Sequence, residues 1–489
     1  MPPTIAVIGA GMAGLSAAWE LSRMTPAPRV IVLEADDRLG GKLRTESFGG
    51  RPVDLGPDAF VARRPEALAL CAELGLTEDL VAPGLRGAYV WARGRLRPLP
   101  AGLALGVPTR FGPLARSGIC SPAGLVGPAL DLLRRRRPPP EPSARPTDMA
   151  VGEVVRRRLG PEVTARLAAP LIGGIHAGDI DLMSAAAVFP ALLGAEARRG
   201  SLMRALGAGL PGPPAASPGP DLPDLPGVAA MSGAGGPVFL SLRGGIGRLA
   251  EELGRALLDR GVELRRGTTA TVLRRQASGD GERWCIASAP GGETEADGVV
   301  VAVPAPVAAG LLRRHDGALA AILDTVSYAS VAIVTLRLAA DAVRRPLDGS
   351  GFLVPRPEAG GAGPLVTACT WISAKWPELD RPGDVLIRAS VGRQGDDRHV
   401  SMTDDELRAA CLEGLGTMMG LGAAPLETAV TRWPGSFPQY PVGHLDRVAA
   451  IEAATDRLPG LALAGAALHG VGIPACIGSG RRAARAVVA

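Results

Sequence analysis

The fold is decided by residues 5–14, which read IAVIGAGMAG. The apolar run at its start predicts a buried strand, and the helix that follows is predicted to begin at Leu15. Between them, Gly9 permits a tight turn, Gly11 lets the backbone approach a pyrophosphate, and Gly14 lets the helix pack closely on the strand. The helix N-terminus adds free N–H groups and the positive end of a dipole. We therefore expect a dinucleotide along Gly9, Ala10, Gly11, Met12, Ala13 and Gly14.

An acidic residue follows the second predicted strand. Glu34 stands about 20 residues beyond the glycine turn, where its carboxylate can accept hydrogen bonds from ribose hydroxyls. Residues 34–42 read EADDRLGGK, and the second glycine pair lets more backbone approach a nucleotide. This pattern, E-x-x-x-R-x-G-G-[KR], resembles the flavin-containing amine oxidase superfamily rather than soluble NAD dehydrogenases. The resemblance implies that the cofactor is FAD.

Length and composition bound the class of protein. A chain of 489 residues exceeds one simple core, so we expect roughly two or three domains. Apolar residues make up 47% and charged residues 21%, as in ordinary globular enzymes. With only 3% aromatic residues, a stacking surface for nucleic acid is not expected. Lysine occurs only at Lys42 and Lys375, both at positions where a flavin is expected.

Cysteine usage and the N-terminus predict the compartment. The six cysteines are scattered without a C-x-x-C motif, which indicates a reducing compartment, no disulfide framework and no metal site. The first strand begins at Ile5, so no signal peptide is expected, and no apolar run of about 18 residues occurs. We expect a cytoplasmic protein. The arginines at 134–137 beside an apolar stretch leave peripheral contact with an anionic membrane open, against a solvated helix end before prolines.

The order of predicted elements indicates an α/β fold with an α+β substrate part. The apolar run at 299–303 predicts a buried strand that returns the chain to the nucleotide domain. Near the C-terminus we place a helix N-terminus at the flavin pyrimidine, where its dipole stabilises negative charge. We predict a Rossmann-like FAD-binding domain assembled from residues 1–85, 239–304 and 445–489, a mainly helical domain at 86–206, a flexible Gly/Pro-rich insertion at 207–238, and a substrate-binding domain at 305–444 with 86–100.

Four further blocks narrow the resemblance to one branch of that superfamily. They read PLIGGIHAGD at 170–179, SLRGG at 241–245, WPGSFPQYPVGH at 433–444 and GVGIPACI at 470–477. Each block is similar to one found in the oxygen-dependent protoporphyrinogen and coproporphyrinogen oxidases of haem synthesis. They stand in that family's order and span nearly the whole chain. The chain is therefore identified as resembling this branch.

The resemblance implies roles for individual residues. Gly174 matches the glycine whose backbone carbonyl faces the pyrrole N–H groups, and Leu353 matches the leucine that packs on the porphyrinogen face. Lys375 lies in a block similar to that of the Gram-positive-type enzymes and is expected at the flavin edge or at a substrate propionate. Beside the glycine turn, the residues implied at FAD are Glu34, Ala35, Gly41, Lys42, Gly56, Pro57, Asp58, Ala59, Ala270, Trp433, Gly465, Val471, Gly472 and Ile473.

The chain departs from the family pattern at two points. It has no secure counterpart of the arginine that clamps a propionate in some members, since that position is nearer Ala88. Arg95, Arg97 and Arg243 are candidates for carboxylate binding, with solvated or structural arginine as the alternative for each. His176 stands where tyrosine or phenylalanine is common, and a hydrogen-bonded core histidine is the simpler interpretation.

The implied activity is FAD-dependent oxidation of coproporphyrinogen III to coproporphyrin III, with O2 as acceptor and H2O2 as product. The Lys375 block and the arginine-rich composition favour coproporphyrinogen III over protoporphyrinogen IX, which stays the alternative. The pocket should be apolar with a rim of arginine for the propionates. No residue is nominated as general base, because flavin, substrate nitrogens and water can carry the protons.

More distant alternatives also stay open. Amine oxidases need an aromatic cage beside the flavin, and three Tyr and seven Phe offer little material for one. A carotenoid desaturase, or a non-catalytic carrier that delivers porphyrin to a ferrochelatase, is a further alternative. The expected partners are a porphyrinogen and O2, with ferrochelatase as a candidate and nucleic acid excluded. Monomer and homodimer are both compatible with the sequence.

Overall fold

A computed structural model describes residues 2–85, 87–134, 147–197, 200–208, 236–278, 281–357 and 363–488. The chain divides into two compact units. Unit 1 contains Met1–Ala82, Asp221–Ser327 and Leu445–Ala489, and unit 2 contains Pro83–Pro220 and Tyr328–His444. Most of the predicted insertion at 207–238 lies outside the described residues. Within the described ranges, no helix is both long and apolar enough to cross a membrane.

The strands are numbered in chain order. Those before residue 110 are β1 (Thr4–Ile8), β2 (Arg29–Leu33), β3 (Thr45–Phe48), β4 (Arg51–Asp54), β5 (Phe60–Val61), β6 (Leu80–Val81), β7 (Tyr89–Ala92), β8 (Arg95–Pro98), β9 (Leu103–Ala104) and β10 (Val107–Pro108). The later strands are β11 (Phe239–Leu242), β12 (Glu263–Arg265), β13 (Thr269–Ser278), β14 (Gly281–Ala289), β15 (Glu293–Ala296), β16 (Gly298–Val301), β17 (Tyr328–Ala339), β18 (Gly351–Leu353), β19 (Val366–Trp371), β20 (Asp384–Val391), β21 (Glu427–Pro438) and β22 (Leu461–Leu463).

The α-helices are numbered in the same way. Those before residue 210 are α1 (Met12–Ser22), α2 (Pro65–Glu73), α3 (Phe111–Ser117), α4 (Val126–Leu133), α5 (Val151–Leu159), α6 (Pro161–Val163), α7 (Gly174–His176), α8 (Ala185–Val188), α9 (Pro190–Ala197) and α10 (Leu202–Gly207). The later helices are α11 (Arg248–Asp259), α12 (Ala305–Leu312), α13 (Gly317–Asp324), α14 (Ile372–Lys375), α15 (Asp404–Met419), α16 (His444–Thr455) and α17 (Ile473–Val488).

Unit 1 is built on a parallel sheet of five strands in the order β12-β2-β1-β16-β22. Its centre is β1, which pairs with β2 through Ile5↔Val30 and with β16 through Ile5↔Gly298. Every residue of β1 and β16 is buried, because both faces of such a sheet are covered. The predicted α/β class is confirmed.

Helices α1 and α17 lie against one another in the core of unit 1. A Cβ at Gly480 of α17 would stand 2.0 Å from the Ala13 carbonyl oxygen of α1, so only glycine allows this approach. Trp19 of α1 donates to Glu73 of α2 at 2.7 Å, and Arg481 of α17 donates to the same carboxylate at 2.6 Å. The first and last segments of the chain are therefore fixed to a common group of helices.

Unit 2 contains a sheet of seven strands in the order β21-β17-β20-β19-β18-β7-β8. Neighbouring strands are antiparallel except β18 and β7, which pair in parallel through Phe352↔Tyr89. Helix α15 packs on this sheet through buried residues such as Leu407 and Leu415. It begins with a capping box, in which the Thr403 N–H donates to Glu406 at 2.7 Å and the Glu406 N–H donates to the Thr403 hydroxyl.

The helical part of unit 2 contains a helix with an unusual middle. Between α6 and α7 the backbone is π-helical over Thr164–Gly173, and Pro170, which has no N–H, lies inside this segment. π-Helical segments are rare and are found frequently at functional sites. Here the segment runs directly into Gly174, and Ala177 then ends the helix with a φ of +46°.

The unit boundaries differ from the predicted domain boundaries at two places. Unit 1 continues to Ser327 rather than to residue 304, because α12 and α13 pack on one another and α12 packs on β13. The predicted helical domain and the predicted substrate-binding domain both fall in unit 2, where β7 and β8 belong to the large sheet. The assignment of functions to these segments stays a prediction.

Candidate cofactor and substrate sites

The three glycines of the turn after β1 serve different purposes. Gly9 has a φ of +97°, and a Cβ at Gly14 would stand 1.8 Å from the Gly9 carbonyl oxygen, so packing requires both glycines. Gly11 is different, because its φ of −69° suits any residue and no described atom lies within 4 Å of a Cβ built on it. Space left open at a glycine in this turn fits a ligand that approaches the backbone. The turn therefore fits a dinucleotide phosphate.

Glu34 closes the carboxyl end of β2 beside this turn. Its carboxylate accepts the N–H of Ala10 at 2.5 Å and the N–H of Asp36 at 2.9 Å. Its carbonyl accepts the N–H of Thr268 at 2.7 Å, which brings the start of β13 and the predicted residue Ala270 to the same edge of the sheet. The carboxylate thus positions the glycine turn, and its contact with a ribose stays a prediction.

The second glycine pair lies directly against the first turn. The Gly40 N–H donates to the Ala10 carbonyl at 2.9 Å, and a Cβ at Gly41 would stand 3.2 Å from the Gly11 Cα. Arg38, the arginine of the E-x-x-x-R pattern, donates to the carbonyl of Gly41 at 2.5 Å and to that of Leu43 at 3.2 Å. The sequence pattern alone assigns no function to Arg38, whereas in the structure its guanidinium holds this loop in shape.

The hairpin that precedes residues 56–59 is fixed by a buried carboxylate. Asp54 accepts the hydroxyl of Thr45 at 2.5 Å and the N–H of Ile246 at 3.0 Å. These bonds tie β3 and β4 to the turn between β11 and α11. The positions predicted at the flavin, Gly56, Pro57, Asp58 and Ala59, follow this anchor within unit 1.

The C-terminal glycines of unit 1 share with Gly11 the open space beside the backbone, although their own φ values favour glycine. Gly465 and Gly472 have φ values of +132° and +98°, and no described atom lies within 4 Å of a Cβ at either position. The Gly465 N–H donates to the Ser479 hydroxyl of α17 at 3.0 Å. Ile473, predicted at the flavin, is 4% exposed and its side chain belongs to the core of unit 1. Of its two predecessors, Gly472 is exposed and Val471 is half-buried.

Lys42 and Cys476, from the first and last segments of unit 1, are close enough for each to influence the pKa of the other. Lys42 is exposed, yet the protein atoms around its ammonium desolvate it and lower its pKa, an effect that Cys476 opposes. Burial raises the pKa of the Cys476 thiol to about 11, with Lys42 and Arg64 acting in the opposite direction. Two segments predicted at one cofactor therefore converge.

Two predicted substrate residues meet in unit 2. A Cβ built on Gly174 would stand 3.7 Å from Cδ2 of Leu353, although the residues come from α7 and β18. Gly174 is exposed and has helical φ and ψ, so its glycine identity is not required by backbone strain. The contact joins an open backbone position to an aliphatic side chain, as a face for a flat apolar ligand would require.

His176 differs from the core histidine that the sequence suggested. It is half-buried, its ring centroid lies 6.3 Å from that of Tyr440, and the ring makes no hydrogen bond to a described residue. Its backbone is held instead, because Gln439 donates to its carbonyl at 3.1 Å. Burial lowers the pKa of His176 to about 4, so the imidazole is neutral at pH 7.

The three arginines proposed for carboxylate binding are divided between the two units. Arg95 and Arg97 lie on β8 in unit 2, and desolvation together with Arg95 and further arginines lowers the pKa of Arg97. Arg97 donates to the Ala92 carbonyl at 3.3 Å. Arg243 belongs to unit 1, is exposed and lies 3.9 Å from the Asp79 carboxylate.

Lys375 and Trp433 were predicted at the flavin, and both belong to unit 2. Lys375 ends α14, its Nζ lies 5.0 Å from the ring centroid of Trp376, and its carbonyl accepts the Gly84 N–H at 2.9 Å. Trp433 lies on β21 and pairs with Val331 of β17. The contacts of both residues with a flavin stay predictions.

Two arginines near Leu353 were missed. Arg393 donates to the Val354 carbonyl at 3.3 Å, and Arg356 donates to the Gln394 carbonyl at 2.5 Å. Their positions just after β18 and β20 are the only sequence signal, and nothing in the sequence shows that these two strand ends meet. The described ranges contain no group of three or more His, Cys, Asp or Glu side chains arranged to hold a metal ion.

The chain is similar to known proteins over nearly its whole length. The family described as flavin containing amine oxidoreductase matches residues 12–488. The coproporphyrinogen III oxidase of Bacillus subtilis (strain 168) is 34% identical over 486 residues, covering 98% of this chain and 96% of the relative. That of Propionibacterium freudenreichii subsp. freudenreichii is 36% identical over 502 residues, covering 99% and 90%. Protoporphyrinogen oxidase of Bos taurus is 31% identical over 504 residues, covering 100% and 99%.

Solved structures share the fold. A protein from Exiguobacterium sp. 255-15 aligns with a TM-score of 0.82 at 31% identity, covering 100% of this chain and 99% of the other. Cyclohexylamine oxidase from Brevibacterium oxydans IH-35A aligns with a TM-score of 0.65 at 17% identity, covering 100% and 99%. At that identity the second likeness shows the fold alone.

Proposed function

The chain belongs to the flavin-containing amine oxidoreductase family, and on that premise we propose that it oxidises coproporphyrinogen III to coproporphyrin III in porphyrin biosynthesis. The observation that carries the proposal is similarity over the full length to proteins named coproporphyrinogen III oxidase, at 34% and 36% identity. The cofactor is FAD, which supplies the hydride acceptor when bound.

Unit 1 offers the backbone features that a dinucleotide needs. Gly11, Gly465 and Gly472 leave open space that no described residue uses, and α1 begins at the first of them with unsatisfied N–H groups. We assign the phosphates to the N-terminus of α1 and the flavin to the turn before α17. Lys42, which follows the second glycine pair, is the lysine of this unit predicted at FAD.

Unit 2 offers the substrate surface. In the proposed complex the macrocycle lies against Leu353, and the backbone at Gly174 accepts from its pyrrole N–H groups. A Cβ built on Gly174 would stand 3.7 Å from Leu353 Cδ2, and this proximity supports a single binding face. A neutral His176 beside this face adds no charge to an apolar pocket.

Dioxygen is the proposed final acceptor. Each oxidation step removes two electrons and two protons from the porphyrinogen, and these reduce O2 to H2O2. Repeated steps convert the methylene bridges to the conjugated porphyrin. No side chain is assigned as general base. Transfer of the product to a ferrochelatase in the cytoplasm, peripheral membrane contact and the oligomeric state stay predictions.

The test follows oxidation of both porphyrinogens in air. Purified protein with the visible spectrum of bound FAD is given coproporphyrinogen III or protoporphyrinogen IX, while porphyrin fluorescence and peroxide are recorded together. We expect faster turnover of coproporphyrinogen III with matching peroxide. Preference for protoporphyrinogen IX would select the alternative that the Bos taurus relative represents. A flavin-loaded protein inert to both would overturn the proposal.

A further inference from the structure

A buried arginine lies beside the residues Gly174 and Leu353, and no described carboxylate is in hydrogen-bonding contact with it. Arg393 follows β20 and is only 9% exposed. Its Nη1 donates to the carbonyl of Val354, the residue next to Leu353, at 3.3 Å. Its Nε is buried without a hydrogen-bond partner, and among the described residues no carboxylate oxygen lies within 4.0 Å of its guanidinium. A buried charge without a counterion is costly unless a ligand supplies one.

A second arginine lies close to the first. Arg356 follows β18, and its guanidinium is near enough to lower the pKa of Arg393, which desolvation brings down to about 10. Arg356 donates to the Gln394 carbonyl, and the Gln394 N–H in turn donates to the Ala177 carbonyl at 2.7 Å. These bonds fix both arginines to the turn that follows Gly174.

The carboxylates of Asp179 and Asp396 lie near this pair but offset its positive charge only in part, since Arg398 pairs with Asp396. Asp396 is engaged by Arg398, which donates to its two oxygens at 2.8 Å each. Asp179 is 3.8 Å from Arg356, too far for a hydrogen bond, and it accepts the backbone N–H of Asp181 at 3.0 Å. Donor capacity for an anion therefore remains on Arg356 and Arg393.

We propose that Arg393 and Arg356 together bind a carboxylate of the substrate at the edge of the Gly174–Leu353 face. This inference rests on the proposed function, because the propionates of a porphyrinogen are the carboxylates at issue. Planar guanidinium groups suit carboxylates, since each presents N–H donors in a fixed fork. Arg95, Arg97 and Arg243 stay separate candidates for carboxylate binding.

The test combines substitution of the arginine with esterification of the substrate carboxylates. We expect Arg393→Gln to raise KM for coproporphyrinogen III by about 10- to 100-fold, the range for a hydrogen bond to a charged group, with kcat within about threefold. KM for the tetramethyl ester should stay unchanged, because the ester has no carboxylate to lose. Arg393→Lys should recover part of the affinity. The flavin spectrum should be that of the wild type.

Two further variants keep the test decisive. Arg356→Gln, at a side chain one-third exposed, should act in the same direction even if Arg393→Gln does not fold. Arg408→Gln is the matched control, since Arg408 pairs with Asp405 at 2.9 Å on the surface of the same unit. Equal effects on acid and ester, or no effect of either arginine on KM for the acid, would overturn the inference.

Binding of the product separates this inference from the proposed function. Coproporphyrin III and its tetramethyl ester can be titrated by fluorescence quenching without turnover. If the wild type binds the acid more tightly and loses this preference on Arg393→Gln, the carboxylate site stands even where oxidation is absent. If turnover is normal and the preference is insensitive to both arginines, the proposed function stands and the carboxylate site fails.

Discussion

The candidate site of unit 1 is formed mainly by backbone, whereas that of unit 2 is formed mainly by side chains. In unit 1 the site is made of backbone, at Gly11, Gly465 and Gly472, where open space replaces side chains. In unit 2 it is made largely of side chains, with Leu353 and Arg393 beside the open position at Gly174. A backbone site demands glycine at set positions of short motifs, whereas a side-chain site needs only that residues from separate segments meet in the folded chain.

This difference divides glycines into two kinds. Gly14 and Gly480 are required because the chain itself fills the space around them. Gly11 is required by nothing in the chain, so its role belongs to the ligand. Substitution of Gly14 or Gly480 should therefore lower the stability of the protein, whereas substitution of Gly11 should weaken FAD binding.

The largest effect is expected where the chain packs on itself. Gly14→Ala should destabilise the protein by about 3–5 kcal/mol, because its methyl group would overlap the Gly9 carbonyl oxygen. Gly310→Ala is the control, since Gly310 is exposed in α12 with no described atom within 4 Å of a Cβ, and should gain about 0.5–1 kcal/mol. Urea unfolding measures both. Equal stability of the two variants would contradict the assignment of Gly14 to packing.

The open glycine should show the reverse pattern. Gly11→Ala should weaken FAD binding by about 10- to 100-fold, because its methyl group occupies the approach to the backbone. The apoprotein should keep its thermal midpoint, since the φ of −69° is allowed for alanine. Flavin titration of the apoprotein and differential scanning calorimetry provide the two readouts. Wild-type FAD affinity in this variant would show that the space at Gly11 serves no ligand.

A smaller effect is expected at the substrate face of unit 2. Gly174→Leu should lower kcat/KM for coproporphyrinogen III by about tenfold, because the new side chain would lie on Leu353 and displace the substrate. FAD content and the unfolding midpoint should not change. Gly194→Leu is the matched control in α9 of the same unit, where no described atom lies within 4 Å of a Cβ. An effect of both variants would point to folding rather than to substrate binding.

The same contrast explains how far the sequence could lead. The glycine turn, Glu34 and the second glycine pair are local patterns. They can be recognised in the sequence because residues close in the chain determine their conformation. Arg356 and Arg393 could not be recognised in this way, because they meet only when the ends of β18 and β20 come together. Ile473 shows the opposite limit. Its position in the motif was apparent, but only the packing of α17 shows that its side chain points to the core.

The smallest effect concerns the charge of the imidazole beside the substrate face. His176 has a pKa of about 4 in the folded protein, whereas an unfolded histidine titrates near about 6.5. As pH falls from about 6.5 toward 4, the unfolded state takes up a proton that the folded state excludes, so stability decreases. His176→Phe removes this contribution. We expect the free energy of unfolding of the wild type, measured with urea, to fall more between pH 7 and pH 6 than that of the variant, by a difference within about 1 kcal/mol. Parallel profiles would show that His176 takes up its proton equally in both states, and the substrate face would then be charged at acidic pH.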